Sequence, residues 1–283
     1  MNSQSENQEQ IRNQIKSYFF PELPDKPIAQ WIFAAVLWIL ALFPFLGWFL
    51  ITPIASWFTN REDGAIKKYS KKSKWRKQLL ENYKMTEEEL PPPPTAKEID
   101  DFLRQDFNQI IQRALQKLDL VDSQLVRSPL VIYGPLFWKT YGISDDEIIV
   151  KTGDDRILRF SCYQLVVVCL SEDRIAAYSC DYNFLRGSFL NDKATEYLYQ
   201  DIVSIETEEI STNYTLRSGQ VMRRAQIFRL TVPSGNNIQV VVGSPEIKDL
   251  FDGKLKENNH EESVKAIREM LRSKKTQPVN KIP

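Results

Sequence analysis

The chain has 283 residues, 26% charged and 42% hydrophobic with only 10 glycines, a composition that excludes a fibrous or wholly disordered polymer. Its 37 Lys and Arg balance 37 Asp and Glu, which excludes a generally basic nucleic-acid coat, and no nucleic-acid partner is expected. Local sums differ: Arg61 to Met85 holds nine basic residues against three acidic, and Thr86 to Gln124 four basic against nine acidic.

Residues 1–30 read as a polar tail. No charge lies between Lys26 and Arg61, and residues 31–58 are almost wholly apolar, longer than the about 20 residues that a helix needs to cross a bilayer. A buried helix of a large domain keeps a polar stripe and seldom holds four tryptophans in one uncharged run. A cleaved signal peptide is disfavoured by the missing basic n-region and cleavage site. The expectation is a transmembrane helix, roughly Trp31 to Ile51, with Trp31, Trp38, Trp48 and Trp57 as membrane anchors. Pro44 and Gly47 divide the run into halves of about 20 Å each, so a re-entrant hairpin is the alternative.

Residues 59–94 form a basic juxtamembrane segment and a proline linker. Lys67, Lys68, Lys71, Lys72, Lys74, Arg76 and Lys77 follow the apolar run, against Arg12, Lys16 and Lys26 before it. The positive-inside tendency then predicts a single-pass membrane protein with its C-terminal part cytoplasmic. The same seven residues are candidate contacts for anionic lipid, each contributing about 1 kcal/mol near a charged leaflet. The plainer alternative is a topology signal alone. Pro91 to Pro94 make a short extended spacer.

Thr95 and Glu98 form a capping box that opens a helix to about Leu118, within a segment spanning residues 95–127. Ile99, Phe102, Leu103, Phe107, Ile110 and Ala114 give it an apolar stripe beside an acidic face. The stripe is expected to dock on the following domain; pairing with a second copy, hence a homo-oligomer, is the alternative. Residues 128–275 read as short strands: a hairpin of Ile148 to Lys151 and Arg156 to Phe160, strands at Leu165 to Leu170 and Arg174 to Cys180, an alternating stretch at Asp201 to Thr207, and a late hairpin of Gln226 to Val232 with Ile238 to Val242. A last helix carries Val264, Ile267, Met270 and Leu271 on one face, before a tail at residues 276–283. The fold class is α+β: a transmembrane helix, a linker helix, then a mainly antiparallel partial barrel with a C-terminal capping helix.

Three segments, EYLYQDIVSIE from Glu196, FRLTVPSGNNIQVVV from Phe228 and VKAIREMLR from Val264, together resemble bacterial pleckstrin-homology-like or GRAM-like domains. The resemblance covers about Ser128 to Lys275. It implies a lipid- or protein-binding module rather than an enzyme. The chain departs from lipid-binding members in lacking a Lys-x-Arg-x-Arg signature, which Lys151, Arg156 and Arg159 only approximate.

Residues suited to catalysis are sparse. His260 is the single histidine, and Cys162, Cys169 and Cys180 lack a CxxC spacing, so zinc and redox motifs are not indicated. The carboxylates Asp145, Asp146, Glu147, Asp154, Asp155, Glu172 and Asp173 fall at predicted turns, where acidic residues serve solubility and turn chemistry. No phosphate-binding loop is present. Arg217, Arg223 and Arg224 flank a predicted hairpin tip and are the second candidate lipid contact. The reading is a membrane-anchored, non-enzymatic binding or scaffold protein with no cofactor or metal, whose partners are the bilayer, anionic lipid or an unidentified protein. The alternative is a membrane enzyme with a carboxylate or metal site.

Overall fold

The computed structural model describes residues 2–23, 28–41, 52–54, 56, 65–216, 219–233, 237–256 and 260–276. The chain divides into two compact units, one formed by residues 1–19 with 91–283, the other by residues 20–90.

The smaller unit holds α2 (Ile28–Ala41) and α3 (Ala65–Tyr83). Trp31 meets Tyr69 edge-on, with ring centroids 6.0 Å apart, and Phe20 lies 5.9 Å from Tyr83. Arg76 braces the unit, giving hydrogen bonds to both oxygens of Glu87 and to the Pro21 carbonyl. The expected transmembrane helix is corrected here. Among the described residues no helix is long and apolar enough to cross a membrane. At 14 residues, α2 extends about 21 Å at 1.5 Å per residue, short of a hydrocarbon core of about 30 Å. The single-pass localisation and the cytoplasmic orientation fall with the span. Pro44, Gly47, Trp48 and Trp57 lie outside the described residues.

The larger unit is α+β and mainly antiparallel. Its strands are β1 (Leu130–Pro135), β2 (Val150–Thr152), β3 (Ile157–Phe160), β4 (Cys162–Leu170), β5 (Arg174–Asn183), β6 (Ser188–Leu198), β7 (Ser204–Thr215), β8 (Val221–Thr231), β9 (Asn237–Gly243) and β10 (Lys254–Leu255). Among the described residues they make a four-stranded sheet ordered β1-β4-β5-β6, a three-stranded sheet ordered β7-β8-β9, and a small sheet in which β3 lies between β2 and β10. Side-chain alternation places Val166, Val168 and Leu170 of β4 in one core with Phe228 and Leu230 of β8 and Val240 of β9. Val264 and Ile267 of the last helix, α6 (His260–Thr276), close this core. The two sheets meet tightly at Gly134, where a Cβ would stand 1.7 Å from the Val241 carbonyl oxygen.

The opposite face of the four-stranded sheet is covered as well. The helix α4 (Ala96–Lys117) begins at the capping box legible in the sequence: Thr95 accepts the Glu98 N–H, and Glu98 accepts the Thr95 N–H. Ile99, Ile110, Ala114 and Leu115 are buried on its inner side, and Phe107 packs on Tyr133 with centroids 4.6 Å apart. Two-sided burial explains why CYQLVVVCL in β4 is a continuous apolar run rather than an alternating one.

Residues 2–19, read above as part of a polar tail, form a helix, α1 (Asn2–Phe19), within the same unit. Ile15, Tyr18 and Phe19 are buried, and Phe19 meets Phe184 edge-on at 6.1 Å.

Candidate functional site

The candidate lipid-facing surface belongs to the smaller unit. IAQWIFAAVLWILA in α2 has no charged residue, and Trp31, Ile32, Phe33, Val36, Trp38 and Ile39 remain 46 to 60% exposed. A helix that is apolar all round and exposed on most of its surface is unusual in water, because each such side chain forgoes about 1.5–3 kcal/mol of burial. Beside it, α3 turns Tyr69, Arg76, Leu80 and Tyr83 to one side. At 100° per residue Lys67, Lys71 and Lys74 fall on the opposite side, and all three are exposed. Lys68 and Lys77 are also exposed, Lys77 at 3.7 Å from Glu81. Lys72 reaches the Glu22 carbonyl at 3.4 Å. Arg76 is committed to its brace, and its hydrogen bond holds the Glu87 carboxyl below the usual range.

The second predicted cluster is not an open basic patch. The Arg224 guanidinium lies 3.4 Å from Glu246 and 3.5 Å from Glu209, and the Arg223 backbone N–H donates to Glu246 at 2.7 Å. Arg217 lies outside the described residues. Of the approximate lipid signature, Lys151 donates to the Tyr18 carbonyl at 3.0 Å, Arg156 lies 3.5 Å from Asp252, and Arg159 is buried between Asp100 and Asp155.

The carboxylate clusters hold loops. Glu147, almost wholly buried, accepts from Asn183 at 3.0 Å and pairs with Arg186 at 2.7 Å. Asp155 is pulled down to about 2 by hydrogen bonding to Arg159. Glu172 pairs with Lys274, and Asp173 with Arg174. Among the described residues no three His, Cys, Asp or Glu are grouped so as to hold a metal ion. Burial pushes the Cys169 thiol up to about 11 and Cys180 to about 12, so both are thiols at neutral pH.

Sequence reasoning missed a buried polar junction. Arg12 of α1 forks onto both oxygens of Asp106, at 2.6 and 2.7 Å, and Asp106 also accepts the Tyr182 hydroxyl. Asp106 is 4% exposed on a helix face whose other buried members are apolar. Its position among Leu103, Phe107 and Ile110 was the available signal, and the need for a buried cation followed from it.

No protein-family model, curated protein or solved structure matches this chain.

Proposed function

We propose that the chain is a non-enzymatic binding protein that rests on an anionic lipid surface through α2 and α3 and presents its β unit to a protein partner. The observation that carries the reading is the exposed apolar helix with a lysine-rich helix packed beside it. Such a pair suits an in-plane position at the headgroup boundary, where apolar burial and attraction to anionic lipid act together. Seven antiparallel strands in two sheets with a closing helix support the likeness to pleckstrin-homology-like modules, whose role is recognition. Among the described residues β6 pairs only with β5 and β7 only with β8, leaving each an open edge to which a partner strand can add.

Co-flotation of the full chain with neutral and anionic vesicles across a salt series tests this. Binding should favour anionic vesicles and weaken with salt. Replacing Lys67, Lys71 and Lys74 by Gln should reduce affinity by roughly 100-fold, at about 1 kcal/mol per charge. Trp38→Ser should weaken binding to both vesicle types. Equal binding of the triple variant at low salt would overturn the reading.

A further inference from the structure

The β unit contains a cavity of about 720 Å³ where the start of α4, the end of β1, β3, β10 and the start of α6 converge. Its wall is apolar and aromatic, built by Leu103, Tyr133, Leu158, Phe160 and Tyr163. Two cations also line it, Arg159 and Lys256, and both are already compensated. Arg159, 3% exposed, gives hydrogen bonds to both Asp100 oxygens at 3.0 Å and to Asp155 at 2.8 and 3.0 Å. Lys256 lies 2.9 Å from the same Asp100.

The remaining charge on the lining is negative. Glu209 has only a 3.5 Å contact with Arg224, and neither Glu261 nor Glu262 has an ion-pair partner among the described residues. Within the wall, Tyr163 is 5% exposed. Its hydroxyl accepts the Phe160 N–H at 3.3 Å, which fixes the ring as part of the wall.

We infer that this cavity binds an organic cation, an amine or guanidinium carried on an aromatic or aliphatic body. The body would displace water from the Tyr133, Phe160 and Tyr163 wall, and the charge would sit toward Glu209, Glu261 and Glu262. An anion of the same shape would meet only neutralised cations and three carboxylates, of which only Glu209 has a cation, Arg224, within 4 Å among the described residues. The cation can be a free small molecule or a basic side chain of a polypeptide, since both present the same chemistry.

Equilibrium dialysis of the full chain against phenethylamine, its carboxylate counterpart hydrocinnamate, and a blocked dipeptide of lysine and phenylalanine tests the inference. Saturable binding of phenethylamine or of the dipeptide at one site per chain, without binding of hydrocinnamate, is expected. The stronger of the two ligands identifies the source. Joint substitution Glu209→Gln, Glu261→Gln and Glu262→Gln should weaken that ligand at least tenfold while leaving a cooperative thermal transition. Leu103→Trp, which fills the cavity, should abolish binding. Non-saturable uptake, equal binding of hydrocinnamate, or unchanged affinity in the folded charge variant would overturn the inference. None of these substitutions touches residues 20–90, so vesicle binding reports separately on the proposed function.

Discussion

Arg12 and Asp106 show how one charge placed in a helix interior dictates a distant residue. Removing a partner from a buried pair leaves the other charge uncompensated, a loss of about 3–5 kcal/mol. Arg12→Ala should therefore lower the unfolding free energy by about that amount, and denaturant titration reads it directly. Asp155 makes a different prediction. Its carboxyl titrates at about 2 in the folded chain because Arg159 stabilises the anion, whereas an unfolded aspartate titrates at about 3.9. A depressed folded value gives stability that is present above about pH 4 and is lost as the pH falls toward 2. Asp155→Asn should flatten the melting temperature against pH across that window, with little change in slope above pH 5. The sequence showed Asp155 only as a turn acid, since nothing local says that Arg159 will be buried.

At the scale of elements, what could be read was what local chemistry determines. Thr95 and Glu98 cap their helix with each other, so α4 was legible to within a residue at its start. The β4 and β5 segments were legible because their apolar runs have strand length. The first helix was not: NSQSENQEQ dilutes a pattern carried only by Ile11, Ile15, Tyr18 and Phe19. β6 was missed because both of its faces are exposed from Asn191 to Ala194, which interrupts the alternation. The apolar run misled for a different reason, since hydropathy sums over residues whereas a span must be one helix, and among the described residues the longest helix of that run, α2, supplies 14. Gly134 gives a test of sheet contact that no propensity contains. Gly134→Ala puts a methyl against the Val241 carbonyl and should destabilise the unit by about 3 kcal/mol, the upper part of the overpacking range. Chemical denaturation measures it, and a loss below about 1 kcal/mol would show that β1 and β9 can separate there.

Across the whole molecule, the candidate surfaces were legible to unequal degrees. The lysine run and the tryptophans were visible as composition, and α2 leaves Trp31 and Trp38 exposed. The brace of Arg76 to Glu87 and Pro21 was not visible, because it joins residues 11 and 55 positions apart. The cavity was further out of reach, since its wall is drawn from α4, β1, β3 and β4, and its acidic residues from β7 and α6. Such a site exists only once the topology is known.

The first helix and the strand unit belong to one compact body, although residues 20–90 intervene between them. The intervening stretch is therefore closed like the loop of a buckle, and Arg12, Asp106 and Phe184 form the catch. A single protease cut inside that stretch should leave two pieces that separate on a denaturing gel yet elute together in native gel filtration. Opening the catch with Arg12→Ala should let the same cut release the amino-terminal piece.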